Sequence, residues 1–300
     1  MDRLEAMALF VRVAERGSFA AAAEQLGVAR SVVTRQIAAL EKHLGVKLMA
    51  RSTRRLTLTT AGAAYLEQCR VILNLVEAAE TDVAAHHLTP RGHLRLGLPL
   101  VFGLKRLSPL LLEFSQRYPA ISLDMDYTDR QLNLIEEGFD LSIRITDRLE
   151  PGDIARKLGS CRVHTVASPD YLARHGRPNH PAELRHHECL AYTGDASNTT
   201  WWFQVEGRLQ PVYVHSRFSA NNGEALIDAA AAGLGIALQP DFIAESALTV
   251  GTVEAILEAF APPALGIYAL LPSNRYLPYR VRVLIDFLAE RLRTADPGAG

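Results

Sequence analysis

The sequence predicts an α/β protein with two parts, a small, mainly helical N-terminal module and a larger domain behind it. Three observations support this. Apolar residues recur with the helical period up to Leu44, an alternating apolar pattern follows Gly45, and strands and helices alternate from His93 onward. A chain of 300 residues is long enough for a small module and a larger domain with its own core.

Three helices with clear start and stop signals are predicted in the first 44 residues. Asp2 can cap the first helix, Gly17 is placed to end it, and Ser18 can cap the second. The apolar positions of the first helix that follow the helical period are Leu4, Met7, Ala8 and Val11. The second and third helices are predicted over Phe19–Leu26 and from about Ser31 to Leu44.

The second and third helices meet the steric needs of a helix-turn-helix. Ala23 is small enough to let two helices approach, and Gly27 allows a turn with positive φ. The predicted shared core consists of Leu26, Val28, Val33 and Ile37. The alternating apolar positions after Gly45 flank the polar segment 51–55, a pattern typical of a two-stranded wing.

Positive charge is concentrated in this module, residues 1–58. Ten Lys and Arg face five Asp and Glu there, a net charge of +5, although the whole chain carries −1. Such a patch attracts phosphate backbones, and the N-terminal end of the third helix is the part that would enter a major groove. The predicted DNA contacts are Arg30, Ser31, Thr34 and Arg35 on the helix and Arg51, Arg54 and Arg55 at the wing tip. For Arg30 and Arg35 the alternative is a solvated helix face.

A long linker helix is predicted after the wing, within residues 59–90. It starts with Thr60 as its cap and runs toward His87, before 89–92 break it. A seam of residues at alternating steps of four and three predicts pairing with a second copy of the helix. The seam consists of Tyr65, Cys69, Ile72, Val76, Ala79 and Val83. The alternative is that it packs on its own domain.

The larger domain, residues 91–300, is predicted to form two lobes. The first elements are Leu94–Leu98, Lys105–Tyr118, Ile121–Tyr127, Gln131–Glu137 and Asp140–Ile145, an order that implies a parallel sheet with helices on both faces. Later elements include the helix Gly223–Ala232 and the strand Leu234–Leu238. Strand Leu265–Leu271 and helix Leu277–Arg293 are predicted to return to the first sheet. Lobe I then spans about 91–161 with 265–295, lobe II about 162–264, and a cleft between them would bind a ligand.

The sequence gives little support for catalysis or metal binding. It contains no nucleophile elbow, P-loop or dinucleotide fingerprint, and no cofactor is predicted. The cluster His186-His187-Glu188-Cys189 lacks a second ligand pair at finger-like spacing, so no metal site is predicted. Three widely spaced cysteines, an acidic N-terminus and the lack of a long apolar run predict a cytoplasmic protein that does not span a membrane. An enzyme with a two-lobed domain and an exported solute-binding protein are the rival interpretations.

A specific set of residues resembles the LysR-type transcriptional regulators. The N-terminal part of this set is Phe19 with 21–23, Leu26-Gly27, 33–37, Leu40-Glu41, Leu44-Gly45, Leu48, Arg51 and 58–62. The resemblance continues through the chain at Pro99, Phe102-Gly103, Phe114, Tyr118-Pro119, 137–140, 167–169, Tyr171-Leu172 and 233–236. It implies a periplasmic-binding-protein-like effector domain, dimerisation through the linker helix, and often a tetramer. Operator DNA with paired half-sites is the implied partner, and RNA polymerase is a candidate partner.

By the same resemblance, the effector would contact Pro99, Leu100, Val101, Phe102, Thr128, Phe203, Asn221 and Asn222. The alternative for each is loop packing. Many members have a Ser or Thr hydroxyl where this chain has Val101, so an aromatic or largely apolar ligand is predicted, oriented by Thr128 or by the turn at 221–222. Arg144 is a candidate cation for the ligand, and its pairing with Asp140 is the alternative.

Overall fold

The computed structural model describes residues 2–51, 56–84, 89–193, 199–272 and 277–294. The chain divides into two compact units, which are described separately. The first contains 1–90 with the short segments 133–138 and 273–282, and the second contains 91–132, 139–272 and 283–300. Among the described helices, none combines the length and the apolar character that a membrane span requires.

The first unit contains a helix-turn-helix, a wing and a long helix, as predicted. Its elements are α1 (Arg3–Arg16), α2 (Phe19–Gln25), α3 (Arg30–Leu44), β1 (Met49–Arg51), β2 (Leu56–Leu58) and α4 (Thr60–Ala84). The wing strands β1 and β2 pair antiparallel, with Met49 opposite Leu58. Predicted residues 85–87 of the long helix lie outside the described residues.

The predicted caps of α1 and α2 are confirmed. Asp2 accepts hydrogen bonds from the amides of Leu4 and Glu5, and Ser18 accepts one from Ala21. Gly27 has φ +64°, which the turn between α2 and α3 requires. The cap of α4 was predicted one residue too late.

Thr59, rather than Thr60, caps the start of α4. The Thr59 hydroxyl accepts a hydrogen bond from the amide of Gly62 at 2.9 Å and donates to the carbonyl of Lys47 at 2.7 Å. The same side chain therefore joins the start of α4 to the base of the wing.

The core of this module uses a different face of α1 from the one predicted. Leu4 is 40% exposed, Met7 and Ala8 are half-buried, and only Val11 of the predicted set is buried. The buried face consists of Ala6, Leu9, Phe10, Val11 and Val13. Because α1 is apolar on two adjoining faces, periodicity alone could not choose the face that packs.

Two of the four residues predicted for the core of the helix-turn-helix are buried. Val33 and Ile37 are buried, but Leu26 and Val28 are 41% and 40% exposed. Both exposed residues flank Gly27 in the turn, where the chain passes over the surface between two helices. Ala23 is buried, as the close approach of α2 and α3 requires.

Lobe I of the second unit is built on a five-stranded sheet with the order β4-β3-β5-β14-β6. Its strands are β3 (Gly92–Leu98), β4 (Ile121–Tyr127), β5 (Leu141–Thr146), β6 (Ile154–Cys161) and β14 (Leu265–Leu271). β3 runs parallel to β4 and β5, whereas β14 is antiparallel to β5 and β6. The predicted parallel arrangement is therefore confirmed for β3, β4 and β5, and β14 returns to the sheet as predicted, as the one antiparallel strand among the five described.

Three helical segments follow β3 in place of the single predicted helix Lys105–Tyr118. They are α5 (Leu100–Phe102), a π-helical turn (Gly103–Leu107) and α6 (Ser108–Arg117). The last helix, α10 (Tyr279–Thr294), packs on α6 through Phe114 and Phe287, whose ring centroids lie 5.4 Å apart. Glu113 and Arg291 form an ion pair between the same helices.

The predicted helix Gln131–Glu137 is absent, and the segment forms turns instead. The Asn133 side chain accepts a hydrogen bond from the amide of Glu136, and the Glu137 carboxylate accepts one from the amide of Asn133. Such local side-chain bonds compete with a helix for the backbone amides.

Lobe II is built on a second five-stranded sheet with the order β11-β8-β12-β7-β13 and on the hairpin β9-β10. Its strands are β7 (Val163–Ala167), β8 (Glu188–Tyr192), β9 (Thr200–Val205), β10 (Arg208–Tyr213), β11 (His215–Ala220), β12 (Ile236–Pro240) and β13 (Glu254–Ile256). Its helices are α7 (Pro169–His175), α8 (Gly223–Ala231) and α9 (Asp241–Val250), with 3-10 turns at Pro181–His186 and Glu258–Phe260. β8 is parallel to β11 and β12.

Candidate DNA-binding face and effector cleft

The helix α3 presents its predicted DNA-contacting residues on one solvent-facing end. Arg30, Ser31 and Arg35 are exposed and Thr34 is half-buried, whereas Val33 and Ile37 on the other side are buried in the core. Neither Arg30 nor Arg35 has a polar partner within the described chain. These side chains can therefore reach a partner without breaking an internal contact.

The start of α3 differs from the starts of α1 and α2. Its N-cap is Ala29, which provides no side-chain hydrogen bond, whereas Asp2 and Ser18 cap the other two helices. The first amides of a helix carry partial positive charge, which attracts anions such as phosphate. An uncapped start adds to the positive character given by Arg30.

Glu41, in the last turns of α3, joins this helix to the wing. Its carboxylate is 8% exposed and accepts hydrogen bonds from the amides of Leu48 at 3.0 Å and Met49 at 3.2 Å. It also forms an ion pair with Lys47 at 2.5 Å. Burial by itself would raise the pKa of Glu41, but the bonds from Lys47 and the two amides outweigh it and hold the pKa below its usual value.

The wing tip is only partly described. Arg51 is the last residue of β1, and its side chain lies outside the described part of the structure. Arg54 and Arg55 lie outside the described residues altogether. Their DNA contacts remain predictions from the sequence.

The linker helix α4 uses the first half of its predicted seam within its own module. Cys69 is completely buried and Tyr65 packs on Phe10, with ring centroids 5.8 Å apart. Burial raises the pKa of the Cys69 thiol to about 11. The structure therefore corrects the assignment of Cys69 to a contact with a second subunit, because the core of its own module covers it completely, whereas Tyr65 is only half-buried.

Further along α4, apolar side chains remain uncovered. Val71 is 43% and Leu75 38% exposed, and Ile72 and Val76 beside them are half-buried. Ala79 and Val83 belong to α4, but their side chains are not described. The apolar face available for pairing is thus centred on Val71 and Leu75, one position before the predicted seam.

In the second unit, the two lobes meet at what we call the interlobe seam, formed by residues 99–106 of lobe I and residues 221–224 and 242–245 of lobe II. The rings of Phe102 and Phe242 are in edge-to-face contact at 5.0 Å. Lys105 pairs with Glu224 at 2.6 Å, and Arg106 pairs with Glu245 at 2.6 Å. Because α5 follows β3 and α8 follows β11, the carboxyl ends of parallel strands from both sheets lead to this seam, where α/β proteins bind ligands.

The segment Pro99–Phe102 begins a helix instead of forming the predicted loop. Pro99 is the N-cap of α5, Leu100 is half-buried, and Val101 and Phe102 are buried. The amide of Leu100 donates a hydrogen bond to the carboxylate of Asp129 at 2.9 Å. Sequence reasoning missed Asp129, although it directly follows Thr128, a predicted site residue.

The remaining predicted effector residues lie in different environments. Thr128 is half-buried, and its hydroxyl accepts a hydrogen bond from the amide of Arg130 at 3.3 Å. Asn221 is exposed. The Asn222 oxygen caps α8 by accepting hydrogen bonds from the amides of Glu224 and Ala225. The NH₂ group of Asn222 is therefore the part of this side chain that is left for a ligand, and its contact with an effector stays a prediction.

Phe203 does not line the seam, contrary to prediction. It is completely buried in the hydrophobic core of lobe II with Tyr171, Trp201 and Ile236. The residues of β9 alternate, so Trp201, Phe203 and Val205 point into this core while Trp202 is 41% exposed. Phe203 therefore has a packing role, which was the alternative to effector contact considered for each of these residues.

Arg144 is not available as a cation for a ligand, and its predicted alternative partner is also wrong. Arg144 lies 3.5 Å from Asp153. Asp140 instead accepts a hydrogen bond from the amide of Arg95, in the middle of β3, at 2.9 Å. The Asp140 carboxylate, predicted as the alternative partner of Arg144, therefore binds the backbone amide of Arg95.

The cluster at 186–189 has structural roles. His187 lies 3.3 Å from the hydroxyl of Tyr171, and burial raises the pKa of the Cys189 thiol to about 12. Among the described residues no group of three or more His, Cys, Asp or Glu side chains could hold a metal ion.

Two cavities of about 260 Å³ lie away from the interlobe seam. One is in lobe II between the turn at 180–185 and the hairpin β9-β10, and the other is in the N-terminal module beneath the wing. Neither cavity contains any of the predicted effector residues.

A winged helix-turn-helix with a bare cationic helix end, together with a two-lobed domain, defines a DNA-binding regulator that senses a ligand. Residues 4–63 match the bacterial regulatory helix-turn-helix protein, lysR family, and residues 87–293 match the LysR substrate binding domain. The chain belongs to the LysR family of transcriptional regulators, with a DNA-binding helix-turn-helix and an effector-binding domain.

Similar proteins extend over nearly the whole chain. The HTH-type transcriptional regulator CrgA of Neisseria meningitidis serogroup C (strain 8013) is 37% identical over 289 residues, which cover 96% of each chain. A solved structure of CrgA from Neisseria meningitidis aligns with a TM-score of 0.59 at 36% identity, covering 96% of this chain and 98% of that one. The Vibrio cholerae virulence activator AphB aligns at 0.58 and 26% identity, covering 97% and 99%. These relatives are transcriptional regulators and not enzymes.

Proposed function

We propose that this protein binds operator DNA by inserting the N-terminal end of α3 into the major groove. The observation that carries the proposal is the exposed pair Arg30 and Arg35, which has no polar partner among the described residues and lies beside an uncapped helix start. Arginine binds guanine edges bidentately, and helix-start amides bind phosphate. Ser31 and Thr34 are short enough to read base edges from the same helix turn. Arg51, Arg54 and Arg55 are proposed to contact the flanking backbone from the wing.

The regulator is proposed to act as a homodimer or tetramer on paired half-sites. The apolar face of α4 around Val71 and Leu75 supports this, because a helix face of this kind is stabilised by a second helix. Ile72 and Val76 flank the same face. RNA polymerase is the proposed further partner at promoters, and the cytoplasm the proposed compartment.

A small molecule bound at the interlobe seam is proposed to modulate DNA binding or activation. The side chains at the seam that are apolar, Leu100, Val101, Phe102 and Phe242, favour an aromatic or largely apolar effector. Thr128 and the Asn222 NH₂ group are proposed to orient it.

Sequencing the genomic fragments that the purified full-length protein retains would test the DNA-binding proposal. We expect a recurrent two-fold symmetric motif, with half-sites about one helical turn apart or a multiple of it. Fragments without a shared motif would contradict sequence-specific recognition. An Arg30→Ala/Arg35→Ala double variant serves as the control, since it should lose the motif while retaining its fold.

A further inference from the structure

We infer that the ligand of the interlobe seam is an uncharged molecule that accepts hydrogen bonds, and that organic carboxylates are disfavoured there. The inference rests on the proposed function, because it specifies the chemical class of the effector for the same seam. Three features of the seam and of the residues in contact with it support this inference. They are the Asp129 carboxylate hydrogen-bonded to Leu100, two cations that are already paired, and the buried side-chain amide of Gln239.

The anion is the carboxylate of Asp129. The amide of Leu100, the first residue of the three-residue α5, is a backbone donor to which a ligand carboxylate could bind. In this chain Asp129 already accepts the hydrogen bond from Leu100 at 2.9 Å. A ligand carboxylate brought to the same amide would lie beside a like charge, which weakens binding by about tenfold or more at such short range.

The cations of lobe I at the seam are also engaged. Lys105 pairs with Glu224 at 2.6 Å and donates to the carbonyl of Phe242 at 3.3 Å. Arg106 pairs with Glu245 at 2.6 Å. A ligand carboxylate would have to displace Glu224 or Glu245 to gain either cation. Lys105 and Arg106 are therefore each neutralised by a carboxylate of the opposite lobe.

The unused donor is the side-chain amide of Gln239, the residue before the last of β12. Gln239 is 2% exposed, and its Nε2 has no hydrogen-bond partner among the described residues. Its Oε1 lies against Gly223, so closely that a Cβ there would approach it to 2.7 Å. Gly223 stands between Asn222 and Glu224, so the Gln239 amide lies at the start of α8, on the lobe II side of the seam.

Both amide side chains at the start of α8 therefore offer donors. The Asn222 oxygen is engaged in the cap, which leaves its NH₂ group, and the buried Gln239 Nε2 has no hydrogen-bond partner within the described ranges. A buried donor without an acceptor costs free energy, which a ligand acceptor such as a carbonyl oxygen can recover. With apolar side chains opposite, the seam fits an uncharged aromatic carbonyl compound.

The test compares benzamide with benzoate, which match in size and ring but differ in charge, by calorimetry on the full-length protein. We expect benzamide to bind at least about tenfold more tightly than benzoate. Asp129→Asn keeps an oxygen for the Leu100 amide and removes the charge, so it should raise benzoate affinity about tenfold and leave benzamide affinity nearly unchanged. Asp147→Asn, an exposed carboxylate on a lobe I turn, is the matched control.

Gln239→Leu should weaken benzamide binding about tenfold while benzoate changes little, because the donor is lost without a change in charge. Tighter binding of benzoate than benzamide by the unmodified protein would overturn the inference, and this comparison needs no variant to fold. An unchanged benzoate-to-benzamide ratio in Asp129→Asn would also overturn it. Failure to bind benzamide in a protein that still retains its DNA motif would refute the ligand class alone. Loss of motif retention by the unmodified protein would instead contradict the proposed function.

Discussion

The DNA-binding face and the interlobe seam use charged side chains in opposite ways. Arg30 and Arg35 on α3 are exposed and have no partner within the described chain. At the seam, Lys105 is paired with Glu224, and the neighbouring arginine is paired with Glu245. A surface that binds a long polyanion gains from unpaired cations, whereas a site that selects one small molecule can use charges to exclude competitors.

The largest effect is expected for Phe203→Ala. Because this ring is completely buried in the core of lobe II, its removal should destabilise the effector domain by about 3–5 kcal/mol. Trp202→Ala, on the exposed face of the same strand, is the matched control and should cost far less. Differential scanning calorimetry of both variants measures this. If Phe203→Ala has normal stability but no longer binds the ligand, Phe203 contacts the effector as the sequence predicted, and its role is not structural.

The next effect concerns Glu41. Glu41→Ala removes the acceptor for two buried amides and should destabilise the N-terminal module by about 1.5–3 kcal/mol and weaken operator binding by misplacing the wing. Glu41→Gln keeps one acceptor oxygen, so it should lose less stability and less operator affinity than Glu41→Ala. Fluorescence anisotropy with operator DNA, paired with thermal melts, distinguishes the variants. Equal DNA affinity in all three proteins would show that the wing does not depend on this residue.

The same carboxylate predicts a pH dependence. The pKa of Glu41 is lower in the folded module than in the unfolded chain, so its contribution to stability is present at neutral pH. That contribution is lost as the pH falls through the lowered pKa. Melting temperatures measured from about pH 7 down to about pH 3 should therefore fall more steeply for the unmodified protein than for Glu41→Gln. Parallel curves would contradict a lowered pKa.

Arg35→Ala tests the open face directly. We expect operator affinity to fall by about tenfold or more without a change in stability, because the side chain has no polar partner in the part of the chain that the structure describes. A loss that shrinks with rising salt, with a slope reduced by about one, indicates a phosphate contact, whereas a loss confined to the specific sequence indicates a base contact. Lys42→Ala, at the far end of the same helix, is the control.

The smallest effect is expected for the pair Arg106–Glu245. Both side chains are about half-exposed, at 47% and 65%, so removing either should change stability by less than about 1 kcal/mol. Chemical denaturation of Arg106→Ala and Glu245→Ala measures this. A larger loss would mean that the seam holds the lobes together more firmly than an exposed ion pair can.

The N-terminal module was the part best predicted from sequence because its signals are local. Caps at Asp2 and Ser18, the turn at Gly27 and the bounds of the wing depend on residues a few positions apart. The packed face of α1 was not predictable, because it depends on contact with α4, which comes more than forty residues later.

The seam was predicted less well because its bonds join distant parts of the chain. Asp129 lies next to the amide of Leu100 only once β3 and β4 are side by side, and Asp153 reaches Arg144 only after the chain has turned. Phe203 was misassigned because its role was taken from the family resemblance, which does not show whether a side chain of β9 faces the seam or the core of lobe II. The alternation of predicted strands and helices along the chain was enough to predict two lobes. Which side chain bonds to which could be known only from the folded structure.

The three cysteines are buried, and one lies in each structural part: Cys69 in the N-terminal module, Cys161 in lobe I and Cys189 in lobe II. A buried thiol reacts with an alkylating reagent only when its surroundings open. The rate at which each cysteine is alkylated, followed by mass spectrometry, therefore records the opening of that part alone. The protein thus contains a built-in reporter of local unfolding in each part, so the region stabilised by DNA or by an effector could be identified without introducing a label.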